Sequence, residues 1–286
     1  TFGKSANSVP IRKVAPGVRP HTGIDEVNYM RGLAFKMEKG NRSLTGFVSY
    51  RKLDANPLND TIENPVVFTS ILTSGTHRTA SELKNDKNLS EIMGGADFTI
   101  EFGRLRLGGS FVNRVLGGEL QPSLNLSRLN LFRGKSNWVG GIHVDYSLNN
   151  IHLFTEVSMS KNKNWASLAG AIMTLDPKFS LSVYTRIFQP GFQPISSLAF
   201  GESSKNQNEN GIYFGFEFKL NKRNKFTGYF DLFSYPWLKS RIDAPSSGSE
   251  LLGQYVFAPT KRWEFGVRYR YKKGELNETD AQKIIK

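Results

Sequence analysis

The chain has no cysteine in 286 residues. That excludes a disulfide framework, a thiolate metal site and a cysteine nucleophile. No apolar run approaches 18 residues, so there is no transmembrane helix to find. Phosphate cradles are missing too. Gly94-Gly95 and Gly108-Gly109 lie inside strand-like stretches with no helix after them, where glycine lets strands bend or pack closely. No G-x-S-x-G elbow occurs, and Gly201-Glu202-Ser203-Ser204 reads as a polar loop. No signature repeats at a period of about 20–50 residues. Disorder is excluded by 38% hydrophobic residues, with 21 Phe, 10 Tyr and 4 Trp. Acidic residues are in the minority, 25 against 38 Lys and Arg. The net charge of +13 keeps anionic partners in view: nucleic acid, phospholipid or lipopolysaccharide.

What the sequence does have is a period of two. In 263–272, Trp263, Phe265, Val267, Tyr269 and Tyr271 alternate with Glu264, Gly266, Arg268, Arg270 and Lys272. Successive strand side chains point to opposite faces, so this segment has one apolar and one polar side. The same alternation recurs in Ile212, Phe214, Phe216, Phe218 and Leu220. It predicts twelve strands: 29–38, 44–53, 91–102, 104–114, 136–148, 151–160, 165–175, 179–188, 211–220, 225–235, 250–259 and 263–272. The pattern is weak in 165–175 and 250–259. Soluble strands average about 5–6 residues, whereas a tilted strand needs about 9–11 to cross a bilayer. The connections alternate between short and long, with Lys161-Asn162-Lys163-Asn164 the exception. Tight turns at one end and long loops at the other are a mark of transmembrane barrels. Gly40-Asn41, Asn149-Asn150 and Asp176-Pro177 have suitable turn chemistry. Ala80 to Leu89 reads as a short helix in the longest loop.

Side chains sort onto this frame. Trp138, Trp165, Trp263 and Tyr235 stand near strand ends, where amphipathic rings form interfacial girdles. The polar faces hold a nearly balanced charge lattice that includes Arg104, Arg106, Asp97, Glu101, Glu217, Arg268 and Arg270. Across the turn at Gly103, Arg104 and Arg106 are expected to meet Asp97 or Glu101. The surplus positive charge sits in short turns, at Lys39, Arg42, Lys222, Arg223, Lys261 and Arg262, where lipid phosphates are within reach. Nucleic acid is not expected there, because no aromatic residues interleave the bases. His143 and His152 fall on the polar faces of adjacent strands; two imidazoles suit a metal, but no carboxylate has convincing ligand spacing. They read as polar lining, and no metal or cofactor is expected. A rim protease would use His77-Arg78 with Asp86, which reads better as a solvated loop.

Several stretches resemble one family. They are Phe2-Gly3-Lys4-Ser5-Ala6-Asn7, Phe68-Thr69-Ser70 with Ser74-Gly75-Thr76-His77-Arg78-Thr79, Phe132-Arg133-Gly134-Lys135-Ser136-Asn137, Phe200-Gly201-Glu202-Ser203-Ser204 with Asn208-Glu209-Asn210-Gly211-Ile212-Tyr213, and Phe233-Ser234-Tyr235-Pro236-Trp237-Leu238 leading to Asp243-Ala244-Pro245. They look like the barrel region of Bacteroidetes outer-membrane proteins that carry a helix-hairpin-helix region. The resemblance implies an outer-membrane location and a longer parent, and it transfers no catalytic residue. The helix-hairpin-helix part is absent from this chain, so its contacts do not transfer either.

The combined expectation is an all-β, antiparallel transmembrane outer-membrane β-barrel. Residues 1–286 form a single barrel segment of about twelve strands, part of a larger barrel of at least fourteen. In it 1–28 is an outer loop and possible strand end, 29–272 holds the strands, and 273–286 begins another outer loop. The expected role is non-enzymatic, as a subunit of an envelope transport, secretion or assembly complex in a Gram-negative outer membrane. Its partners would be phospholipid, lipopolysaccharide and other outer-membrane or surface proteins. Loops carrying Pro236-Trp237 and Val66-Val67-Phe68 suggest docking surfaces. The alternatives are a stand-alone porin or channel, and a barrel lipase or protease.

Overall fold

A computed structural model describes residues 4–5, 8–12, 17–22, 29–58, 67–73, 78–197, 199–240 and 242–277. Fourteen strands make one sheet: β1 (Gly32–Lys39), β2 (Arg42–Leu53), β3 (Ala55–Pro57), β4 (Val67–Ile71), β5 (Leu89–Phe102), β6 (Leu105–Leu120), β7 (Gly134–Leu148), β8 (Ile151–Ser160), β9 (Trp165–Asp176), β10 (Phe179–Phe188), β11 (Glu209–Asn221), β12 (Asn224–Tyr235), β13 (Ser246–Thr260) and β14 (Trp263–Gly274). The twelve long strands pair antiparallel with their sequence neighbours, in the order β1-β2-β5-β6-β7-β8-β9-β10-β11-β12-β13-β14. The sheet does not close: β1 and β14 each have one paired edge. Within the described residues no helix is long and apolar enough to cross a membrane.

Every expected strand is present, including the two with weak alternation. Segments 151–160 and 179–188 match at both ends. Others extend further toward the long-loop end, as in Leu105–Leu120 and Ser246–Thr260. The helix is shorter than expected. It runs Ala80–Lys84, closed by a capping box between Thr79 and Glu82. Strands β3 and β4 were not expected. They are too short for a period-two signal, and the pairing of β3 with β4 and of β4 with β6 is settled by distant residues. Residues 2–8, read as a possible strand end, are described only at 4, 5 and 8; those three are in no strand. At the other end Lys273 and Gly274 continue β14, and 278–286 lie outside the described residues.

The two-residue turns Gly40-Asn41, Gly103-Arg104, Asn149-Asn150, Pro177-Lys178, Lys222-Arg223 and Lys261-Arg262 share one end of the meander. Asn149 has φ +47°, a left-handed conformation that asparagine tolerates and β-branched residues do not. At the opposite end the connections interlock. Asn208 exchanges hydrogen bonds with the Trp237 backbone (2.9 and 2.7 Å), the Trp237 indole donates to the Leu126 carbonyl (3.0 Å), and Asn162 donates to the Gly191 carbonyl (2.6 Å).

One face of the sheet is open and the other is covered. On β12, Phe226, Phe230 and Leu232 are exposed, while Thr227, Tyr229, Asp231 and Phe233 are buried. The cover consists of residues from the 4–12 segment and from the 189–208 connection. Ile11 and Phe200 join Phe154, Tyr184, Tyr213, Tyr229 and Leu252 in one buried cluster. The open face is apolar along the sheet, through Leu33, Val48, Phe111, Ile142, Val157, Phe214, Leu251 and Val267.

Candidate functional site

The most concentrated chemistry lies on the covered face, where charged side chains are shut away from solvent. Arg186 of β10 and Glu209, Asp231 and Glu250 of β11–β13 all have 0% relative exposure. Alternation brings them there: Arg186 stands opposite Gly211, and Asp231 opposite Glu250. Gly211 has no side chain, and a Cβ there would overlap the Arg186 guanidinium. The guanidinium therefore passes over β11 and meets Asp231 with two nitrogens, at 2.9 and 3.1 Å. Its Nε donates to Glu209 at 2.5 Å. Glu209 also accepts from the backbone N–H groups of Glu202 (2.8 Å) and Ser203 (2.7 Å), which ties the 189–208 connection to the cage.

Lys4 enters from the N-terminal segment. Its ammonium lies 2.5 Å from Asp231, 2.5 Å from Glu202 and 3.0 Å from Glu250, with 4% of its side chain exposed. It also sits 4.9 Å from the centre of the Phe233 ring. Glu250 further accepts from the Tyr229 hydroxyl and the Arg270 Nε, each at 2.6 Å. Glu202 also pairs with Lys272. Four carboxylates thus meet four cations, the balance that burial of charge requires. Burial by itself would draw the Lys4 ammonium down; its pairing with Asp231, reinforced by Glu202, holds it above its ordinary value. Burial would likewise push the Glu202 carboxyl up, but hydrogen bonds from Lys272 and Lys4 hold it below the usual carboxylate range. Both shifts favour the ionised forms of Lys4 and Glu202.

The rest of the N-terminal segment is held as a strap. The Ser8 carbonyl accepts from Tyr213 (2.8 Å) and Ser182 (3.1 Å), and the Ser8 hydroxyl donates to the Phe216 carbonyl (2.5 Å). The Ser8 carbonyl lies so close to Gly215 that a Cβ there would collide with it. Ile11 fills the aromatic cluster, and Arg12 meets Asp145 at 2.8 Å.

The structure brings some of the expected lattice residues together and leaves others apart. Arg106 lies 3.6 Å from Glu101 and stands opposite Asp145 in register. Glu217 pairs with Lys219 (3.0 Å) and Lys225 (3.9 Å), and Arg268 donates to Gln254 (2.7 Å). Arg104 departs from expectation: it is exposed in the turn itself, with no ion pair among the described residues. Asp97 accepts from Thr99 (3.1 Å), not from an arginine. In the girdle, Trp165 and Trp263 are exposed, and Trp138 is half-buried beside Phe111. Tyr235 is a correction. Its parity places it with Phe233 on the covered face at 6% exposure, and Lys239 lies over its ring, 3.4 Å from the centroid. Burial pulls the Lys239 ammonium below its ordinary value. The basic turn residues Lys39, Arg42, Lys222, Arg223, Lys261 and Arg262 are all exposed at the short-turn end.

Of the expected docking residues, Pro236 is exposed and Val67 and Trp237 are half-buried. Phe68 is buried at 1% among Leu53, Leu89 and Leu116, Trp237 bonds to neighbouring connections, and Val66 lies outside the described residues. His77 is outside them too. Among the described residues no three His, Cys, Asp or Glu converge as metal ligands. Sequence reasoning missed Lys4 and Glu202, because segments outside strands carry no periodicity, and Glu209, because β11 starts two residues before the expected 211. It missed Glu250 because β13 alternates poorly. The available signal was Asp231 and Arg186, two inward charges whose partners had to come from somewhere.

No family model matches the chain, and no curated protein matches it. Among solved structures, the crystal structure of the Pseudomonas putida toluene transporter TodX is similar, with 12% identity over 84% of this chain and 79% of that one and a TM-score of 0.33.

Proposed function

We propose that this chain is the lipid-embedded wall of an outer-membrane β-barrel in a Gram-negative cell and that it serves, without catalysis, as a subunit of an envelope transport, secretion or assembly machine. The observation that carries the reading is inverted polarity. Large apolar side chains such as Ile142, Phe214, Phe230 and Leu251 line the open face, while Arg186, Glu209, Asp231 and Glu250 are sealed on the covered one. A water-soluble sheet is built the other way round. Monomeric soluble proteins rarely expose a contiguous apolar patch beyond about 300–600 Å², and this one runs along twelve strands. In lipid the same arrangement is the favourable one. Unpaired backbone groups along β1 and β14 cost several kcal/mol each in a bilayer, so the wall closes by pairing with further strands.

The covered face supports a gated or assembly role over a standing pore, since Ile11 of the strap and Phe200 of the 189–208 connection pack onto it. Purified protein in planar bilayers is expected to show no steady conductance, and a constant open channel would overturn the subunit reading in favour of a porin. Capture from native outer membrane is expected to bring stoichiometric protein partners. One arrangement favours the enzyme alternative: the Ser147 hydroxyl lies 3.0 Å from His152 Nδ1, with Asp145 3.5 Å from Nε2. Hydrogen bonds of this kind are about 2.7–3.2 Å long. Asp145 lies beyond that range and His152 Nε2 has no hydrogen-bond partner among the described residues, so the relay is incomplete. Lipase and protease assays on the wild-type protein and on Ser147→Ala are expected to show no activity.

A further inference from the structure

We propose that the pocket among the connections at the long-loop end binds a small phosphorylated sugar, with Lys239 as its anchor. The pocket has a volume of ≈ 370 Å³, within the range of small-molecule sites. Every residue lining it comes from one of three connections, 121–133, 189–208 and 236–245, and none from a strand. Binding residues are disproportionately carried by connections on a rigid scaffold. These three are pinned to one another around the space. Gln207 donates to the Asn130 carbonyl (2.9 Å) and to the Pro190 carbonyl (2.6 Å), and Asn208 holds the Trp237 backbone. The walls are therefore in place before any ligand arrives. Because no strand residue lines the pocket, it is separate from the open apolar face, and its ligand is a soluble one.

Charge selects an anion. Lys205 and Lys239 line the pocket, and the one acid there, Glu202, is already paired with Lys4 and Lys272. Lys4 and Lys239 are both drawn out of water, but only Lys4 has carboxylates against its ammonium. Lys239 has the Tyr235 ring, 3.4 Å from its centroid, and its ammonium makes no salt bridge or hydrogen bond among the described residues. A ring face attracts the charge but leaves three N–H donors without an oxygen. Burial pulls that ammonium below its ordinary value, and Glu209 and Glu202 pull the other way without offsetting it. Two lysines match a phosphomonoester, which carries about −1.5 to −2 charges at pH 7. A carboxylate would leave one lysine unbalanced. The remaining walls suit a sugar, with its C–H faces and hydroxyl edges. Leu131, Pro190 and Trp237 are apolar, the indole N–H being spent on the Leu126 carbonyl, while Asn130 and Ser204 offer polar groups.

The site stands apart from the transport reading. Binding is measured calorimetrically on the whole chain in detergent micelles, and failure of either reading leaves the other intact. The probe is glucose 6-phosphate, with glucose as the uncharged control. Glucose 6-phosphate is expected to bind, and glucose to bind at least about tenfold more weakly. Lys239→Met keeps an unbranched side chain and removes its charge. It is expected to weaken glucose 6-phosphate about tenfold, whereas Lys261→Met, exposed in a short turn at the other end, leaves the affinity unchanged. In the wild-type protein, raising sodium chloride is expected to weaken binding by screening the lysines. Absence of glucose 6-phosphate binding, equal affinity for glucose, or unchanged affinity in Lys239→Met would each overturn the inference. So would wild-type binding that salt does not weaken, a result that stands even if Lys239→Met does not fold.

Discussion

Replacing Arg186 by Met removes the one cation that holds Glu209 and Asp231 together, at a position with no solvent exposure. Methionine fills much of the same volume, so the effect is chiefly electrostatic. Removing one partner of a buried pair costs about 3–5 kcal/mol, because the remaining charge stays in a poorly polarisable environment. Here each orphaned carboxylate keeps other donors: Glu209 the N–H groups of Glu202 and Ser203, and Asp231 the Lys4 ammonium. The expected loss is therefore near the lower bound, about 3 kcal/mol, or on the order of a hundredfold in the unfolding equilibrium. Urea titration of the protein in detergent micelles measures it, with Arg262→Met in an exposed turn as a control expected to change stability by less than about 0.5 kcal/mol. The triple variant Arg186→Met, Glu209→Gln, Asp231→Asn removes the unpaired charges and is expected to recover much of the loss. If Arg186→Met costs no more than the control, the cage does not hold the covered face together and the reasoning fails.

Three further outcomes follow from the same geometry. Gly215→Val should expel the strap, since its side chain would enter the space of the Ser8 carbonyl; proteolysis of residues 4–12 reports this, and an unchanged digestion pattern would mean the strap does not pass there. Phe230→Arg on the open face should cost about 2–4 kcal/mol in lipid if that face meets the bilayer near its midplane, while an equal stability in vesicles would place the face elsewhere. The strap should be pH-dependent at both extremes. Glu202 is held below its ordinary 4.5, so its contribution is present above that value and drains away as pH falls through the lower folded value. Lys4 is held above its ordinary 10.5, so its contribution is complete below that value and is lost as pH rises through the higher one. Slow strap cleavage at intermediate pH with acceleration at both ends is the expected profile, and a flat one would contradict it.

Twelve strands, their order and their facing were legible in the sequence because period-two alternation is local. Val267 and Arg268 differ in polarity, and nothing beyond neighbouring residues is needed to put them on opposite sides. The two-residue turns were legible for the same reason, through Gly40-Asn41 and Asn149-Asn150. Alternation cannot say how far across a face a long side chain reaches. Tyr235 reads as a girdle residue by its place at a strand end, yet its parity puts it inside under Lys239. Arg104 reads as lattice, yet the turn claims it. Glu202 in a polar loop and Lys4 in a segment with no periodicity have nothing in their neighbourhoods to join them, and 198 residues separate them along the chain. Their meeting depends on a connection folding inward to Glu209 and a strap crossing Gly215. The local pattern sets which way each side chain faces, while long-range closure of buried charge sets which of them meet, because an ion taken out of water is stable only where the rest of the chain delivers its partner.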